Sequence, residues 1–241
     1  MKIFAKSDIG KSREVNEDSY FVSDEETGID LFILSDGMGG YHGGRVASSL
    51  AVEAAKSYIT TNYEITFDDK EDIKKLVNGA IEYANMIVNE KAKEDEDLKY
   101  MGATIEIALI IKDDIYIGHA GDSSIYRLRK NFFRKLTKDH SYIENLIDEG
   151  KITREEGRTH PNKNMVTKAV GTGKLVEADV FNKKLLKDDI LLMCSDGLTN
   201  MVLEERIEEI LRTSVNPAED LINEANANGG LDNITAIVVK K

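Results

Sequence analysis

Residues 104–136 read TIEIALIIKDDIYIGHAGDSSIYRLRKNFFRKL. β-Branched and aromatic residues alternate along this stretch, with breaks at Asp113-Asp114, Gly121-Asp122 and Lys130-Asn131, the pattern of antiparallel hairpins. The sequence before it has a different period. Val46, Ala47, Leu50, Ala51, Ala54, Ala55, Tyr58 and Ile59 recur three and four residues apart, and Ile73, Leu76, Val77, Ala80, Ile81, Ala84, Ile87 and Val88 do the same. Two long amphipathic helices therefore precede the hairpins. Beyond them, Ser141 three residues before Glu144 marks the start of a short helix that ends on Gly150. Residues 153–164 are polar and predict an irregular, mobile surface segment. VEADVF and DILLMCS read as strands, helices follow at 203–211 and from Pro217, and NITAIVVKK closes the chain as a strand. The last helix has Asn216 as its N-cap and Gly229 beyond its end. Strands in hairpins and helices in pairs predict an α+β fold rather than a doubly wound parallel sheet. No repeat or low-complexity linker divides residues 1–241, so one domain is expected.

The composition narrows the function. A net charge of −12 repels nucleic acid and bare anionic membranes alike. Lys2, Lys6, Asp8, Lys11 and Arg13 interrupt the first fifteen residues, leaving no apolar core for a leader, and no later run reaches spanning length. Cys194 is the only cysteine, so no intrachain disulfide can form and a reducing, cytoplasmic setting is expected. The acidic excess gathers at 64–72 and 90–97, which read as solvated surface around the second helix.

The ends of the strands carry the chemistry. LFILSDG and ILLMCSDG each run an apolar strand into Ser-Asp-Gly, at Asp36 and Asp196. Asp122 follows IYIGHAG, while Asp232 precedes the last strand and Glu17 and Asp18 precede another. Taken singly, each is a turn or cap residue, and Asp36-Gly37 is a hairpin signal. Taken together, carboxylates meeting in one volume would raise one another's pKa values and call for a cation. One cysteine and four scattered histidines offer no zinc spacing, whereas an all-oxygen set suits Mg²⁺ or Mn²⁺. The acids are spread over the whole chain, unlike a calcium loop.

REVNED, DGMGG, GDS, LTKDHS, VTKAVG, SDGL and GGLDNIT, in this order and spacing, resemble the protein phosphatase 2C type of metal-dependent serine/threonine phosphatases, in their compact bacterial form. The resemblance covers nearly the whole chain. It implies two antiparallel sheets packed face to face with helices on both outer sides, an α/β/β/α sandwich holding two Mn²⁺ or Mg²⁺ ions at one end. Residue by residue, it implies that Asp36 bridges the ions and that Gly37 offers one of them its carbonyl. Asp196 and Asp232 complete the first site, Asp18 and Glu17 serve the second, and Asp122 with Asp196 holds a third, weaker ion. Arg13 is similar to the family's phosphate-binding arginine. Residues 139–170 resemble the family's variable flap.

The implied activity is hydrolysis of phosphoserine and phosphothreonine in proteins by direct attack of a metal-bridging hydroxide, in a cytoplasmic monomer opposing a serine/threonine kinase. Three positions depart from the pattern. Met38 stands where some members have a proton-donating histidine, which leaves His42, His140 or water for that role. Ser124 replaces a common arginine, and Gly44 a common glutamate. Two other readings stay open: a catalytically silent binding module of the same fold, and a phosphatase dedicated to one small regulatory phosphoprotein.

Overall fold

The computed structural model describes residues 1–24, 28–39, 42–63 and 69–241. Gly40 and Tyr41 of the glycine-rich stretch, and residues 64–68 of the first acidic stretch, lie outside the described residues. The chain begins with β1 (Lys2–Asp8), β2 (Asp18–Val22) and β3 (Asp30–Met38), then α1 (Gly43–Asn62) and α2 (Lys70–Glu94). A single 3₁₀ turn leads to β4 (Gly102–Ala103), β5 (Ile105–Ile111), β6 (Asp114–Ala120), β7 (Ser124–Arg129) and β8 (Phe132–Lys135). Next come α3 (Tyr142–Asp148), α4 (Arg154–Arg158), β9 (Asp179–Lys184) and β10 (Ile190–Cys194). The last elements are α5 (Asp196–Thr199), α6 (Glu204–Thr213), α7 (Pro217–Ala227) and β11 (Ile234–Lys240).

Two antiparallel sheets result, one ordered β1-β11-β10-β7-β8 and the other β2-β3-β5-β6-β9 with β4 beside β3. The period-2 alternation of the strands distributes their side chains between layers. Leu31 and Ile33 of β3 pack with Ile107 and Leu109 of β5 against α1 and α2. Phe32 and Leu34, the residues between, meet Ile125, Leu191, Met193, Ile237 and Val239 of the other sheet. On its far side that sheet turns Leu192, Ala236 and Val238 toward Ile207, Leu211, Leu221 and Ile222 of α6 and α7. Four layers and three apolar interfaces follow, the expected α/β/β/α sandwich. Phe32 is fully buried at the centre; truncating it to alanine should cost about 3–5 kcal/mol.

One strand is added and three local expectations change. β1, unmarked by any strong pattern, forms an edge strand by pairing along its whole length with β11. Asp36-Gly37 makes no hairpin turn, because β3 continues through both residues to Met38. The β5–β6 turn falls on Lys112-Asp113, one residue early, with Lys112 in the left-handed region at φ 56°. Residues 153–164 are not irregular throughout: Thr153 and Glu156 complete a reciprocal capping box that starts α4.

The pairing also fixes where the acids emerge. Cys194, at the end of β10, pairs with Ala236 of β11 and Ser124 of β7. Asp196 lies just beyond Cys194, Asp232 just before β11 and Asp122 just before β7, so all three leave the first sheet at one edge.

Candidate functional site

Asp18 and Asp36 are register partners on β2 and β3, at the end where the two sheets meet. Asp36 is held by its backbone: its N–H donates to Thr104 Oγ1 at 2.9 Å, and the Thr104 N–H donates to its carbonyl at 2.8 Å. Asp18 ties the sheets together. Ser195 Oγ and Thr235 Oγ1, from the opposite sheet, donate to its Oδ2 at 2.8 and 2.6 Å. Its other oxygen, Oδ1, is buried without a hydrogen-bond partner. Asp196 Oδ2 accepts from Asn200 Nδ2 at 3.0 Å. Asp232 accepts from Arg13 Nη2 at 2.8 Å and from the Asn233 N–H at 2.8 Å.

These carboxylates form one electrostatic cluster. Burial pushes Asp18 up to about 7; hydrogen bonds from Thr235 and Ser195 oppose this, and Asp196 and Asp232 add to it. Asp36 is driven well above the usual carboxylate range, by burial first and then by Asp18, Asp196, Asp122 and Asp232. Asp196 rises to about 6 through burial and the Asp232 charge. Asp122 is raised well above its ordinary value by burial, Asp196 and Asp139. Asp18, Asp36, Asp122 and Asp196, from distant parts of the chain, are thus all held above the ordinary carboxylate range at one place.

Glycine makes the approach possible. A Cβ on Gly37 would stand 2.0 Å from the Gly44 carbonyl oxygen, so β3 and the start of α1 pass closer than any side chain allows. A Cβ on Gly44 would stand 2.6 Å from Glu17 Oε1, so the missing side chain at 44 makes room for the Glu17 carboxylate. The Gly37 N–H donates to the Glu17 carbonyl at 3.2 Å.

Among the described residues no group of three or more His, Cys, Asp or Glu side chains stands ready-made in an ion-holding arrangement. The fit to a cation rests on chemistry instead. The donors are all oxygen, which suits a hard divalent ion. Asp18 Oδ1 lacks a partner, and the crowded charges need neutralising.

Of the residues expected at the site, Asp18, Asp36, Asp122, Asp196 and Asp232 come together, Gly37 and Glu17 lie beside them, and Arg13 is clasped to Asp232. Sequence reasoning passed over the residues that hold the acids. Asn233 is the clearest: its Oδ1 accepts from the Glu17 N–H at 2.8 Å, and its Nδ2 donates to the Ile9 and Val15 carbonyls at 3.0 Å. One buried amide thus fixes the loop bearing Arg13, Glu17 and Asp18. Its signal was its place directly after Asp232 in LDNIT. Ser195, Thr235, Thr104 and Asn200 are polar residues next to motifs, and nothing local distinguished them from caps.

A cavity of about 350 Å³ opens beside the cluster, with Asp122, Asp196 and Asn200 on one wall and Ile143, Glu144, Arg154 and Arg158 of α3 and α4 on the other. A larger one, about 590 Å³, lies between α3 and the approach to β9, and Asp139 lines both.

A family model described as protein phosphatase 2C matches residues 9–229. The chain is 37% identical over 240 residues to the serine/threonine phosphatase stp of Listeria monocytogenes, covering 98% of this chain and 94% of that one. It is 33% identical over 245 residues to protein phosphatase PhpP of Streptococcus pneumoniae, covering 99% and 97%. Among solved structures, the S. agalactiae serine/threonine phosphatase superposes with a TM-score of 0.90 at 36% identity, covering 100% of this chain and 99% of that one. The catalytic domain of PstP in complex with 2 manganese ions superposes with a TM-score of 0.86 at 31% identity, covering 98% and 96%.

Proposed function

The chain belongs to the protein phosphatase 2C family and is a metal-dependent serine/threonine protein phosphatase, and from that premise we propose that the aspartate cluster is its two-ion catalytic centre. The observation that carries this reading is the convergence of Asp18, Asp122, Asp196 and Asp232 on Asp36, whose carboxyl their charges push up together with its burial. Asp36 and the Gly37 carbonyl would help hold the ions, Asp196 and Asp232 would serve one of them, and Asp18 with Glu17 the other. The partnerless Asp18 Oδ1 is the free ligand atom this scheme requires. Asp122 with Asp196 would hold a third ion more weakly. When bound there, Mn²⁺ or Mg²⁺ would supply Lewis acidity for activating water and for charge on the phosphoryl group.

The chain's own groups do the rest. Ser195 and Thr235 occupy one Asp18 oxygen and leave the other to point inward. Asn200 orients Asp196. Arg13 uses one N–H on Asp232, and its half-exposed guanidinium keeps further donors for two phosphate oxygens. No protein nucleophile is needed. Cys194 is fully buried in β10, where burial pushes its thiol far above its ordinary value. Of the groups that could protonate the leaving alcohol, His140 is buried and engaged with backbone, whereas His42 is exposed at the start of α1. His42 or water takes that role.

The substrates in this reading are phosphoserine and phosphothreonine proteins, with a serine/threonine kinase as the opposing enzyme in the cytoplasm. Among the described residues no helix is long and apolar enough to cross a membrane. The test is hydrolysis of a phosphothreonine peptide and of p-nitrophenyl phosphate with Mn²⁺, Mg²⁺ or chelator. Turnover of both substrates should need the ion, and equal rates in all three conditions would overturn the reading.

A further inference from the structure

The two most enclosed histidines lie outside the scheme above. Glu106 and His119 are register partners on β5 and β6, both fully buried in the layer between the sheets. The next two pairs on that face, Ala108 with Ile117 and Ile110 with Ile115, are apolar. An apolar pair would fill this position without the cost of burying ionisable groups. The polar pair reaches further along the chain. Glu106 holds His119 Nδ1 with both carboxylate oxygens at 2.8 Å, and His119 Nε2 donates to the Lys138 carbonyl at 2.7 Å. The His119 ring stacks on His140, with centroids 4.5 Å apart and planes 23° apart.

His140 in turn brackets one residue. Its N–H donates to the Gly121 carbonyl at 2.7 Å, and the Gly121 N–H donates to His140 Nδ1 at 3.3 Å. Burial and the His119 charge push His140 down to about 4, so the ring is neutral and Nδ1 keeps its lone pair. Its Nε2 faces Asp179 Oδ2 at 3.4 Å. Gly121 has φ +136°, and a Cβ there would stand 2.5 Å from Thr104 Cβ. Thr104 is the residue that anchors Asp36, and the residue after Gly121 is Asp122.

We propose that Glu106, His119 and His140 are positioning residues for the phosphatase reaction, a buried strut that sets the Gly121 corner and so aims Asp122 into the aspartate cluster. This rests on the reading that Asp122 serves that cluster. None of the three side chains needs to touch substrate. They act through the backbone of 138–140 and through Gly121, much as outer ligand partners fix the inner ones in metal sites.

A double-mutant cycle separates positioning from mere support of the fold. His140→Phe keeps the stack on His119 and removes the acceptor for the Gly121 N–H, while His140→Asn restores an acceptor. Turnover of a phosphothreonine peptide at saturating Mn²⁺ should fall about tenfold in His140→Phe, the usual scale for such partners, and recover largely in His140→Asn. In an Asp122→Ala background the same substitution should change turnover less than twofold. Amide exchange at Gly121 should quicken in His140→Phe and not in His140→Asn, whatever the activity. Equal fold losses in both backgrounds, or unchanged exchange at Gly121, would overturn the strut. Unchanged turnover in Asp122→Ala alone would instead refute the role of Asp122, and the proposal with it. If His140→Phe does not fold, His119→Gln, which removes the stack, goes through the same cycle under the same two outcomes.

Discussion

Asp18 and Asp36 stand directly opposite each other across β2 and β3, two carboxylates from paired strands turned into the same end of the sandwich. The register that faces them also sends Phe32 and Leu34 between the sheets and Leu31 and Ile33 toward the helices. A slip of one residue would invert that apolar pattern along the whole strand, so the core enforces the pairing of the acids.

Stability without metal should fall as pH rises. Asp18 and Asp196 titrate near 7 and 6 in the folded protein, against 3.8 when unfolded. Groups raised in this way stabilise the fold fully below about pH 4, and that contribution is lost as pH rises through 6 to 7. In chelator the melting temperature should therefore drop between pH 5 and 8, and saturating Mn²⁺ should remove most of the drop. A melting temperature in chelator that rises over this range would contradict the cluster.

Arg13→Ala should raise KM for a phosphopeptide roughly tenfold with a smaller effect on kcat, given ~1.5–3 kcal/mol for a charge-assisted hydrogen bond that holds ground and transition states alike. Steady-state kinetics decide it. A change in kcat alone would exclude the clamp.

Asn233→Ala releases the Glu17 N–H and the Ile9 and Val15 carbonyls in a buried setting. Urea denaturation should show a loss of about 3 kcal/mol or more, at ~1–3 kcal/mol for each of the three stranded groups. Ion affinity should weaken as well, because the loop carrying Asp18 loosens. A stability change within 0.5 kcal/mol, the usual scale for surface substitutions, would show that the loop is held elsewhere.

Residues 139–170 should be cut first in limited proteolysis, at α4 and its flanks, where Gly157 is the only buried residue of the helix. Trimming α4 should shift preference among phosphopeptides more than it changes the rate on p-nitrophenyl phosphate. Equal losses on both substrates would make the segment a structural support.

The layers were legible in the sequence because each rests on a period. The three- and four-residue spacing from Val46 and from Ile73 became α1 and α2, and the alternation in 104–136 became two hairpins in different sheets. The acids were legible as a set because Ser-Asp-Gly recurs after apolar strands. What stayed hidden depends on long-range pairing. β1 has no period of its own and exists through β11. Asn233, Ser195 and Thr235 gain their roles only when residues more than a hundred and fifty positions away arrive beside them. Nothing local marks Glu106 and His119 as a pair; only the register of β5 and β6 makes them partners.

The most direct test of the central claim is calorimetric titration of Mn²⁺ into the wild-type chain and into Asp36→Asn, with melting curves to confirm that both are folded. The wild type should take up two ions tightly. Asp36→Asn should lose tight binding at both positions together, as the proposed shared carboxylate requires, while melting in chelator at the wild-type temperature or above as repulsion eases. Two tightly bound ions in Asp36→Asn, with turnover near wild type, would contradict the assignment and return Asp36 to the role of a strand residue.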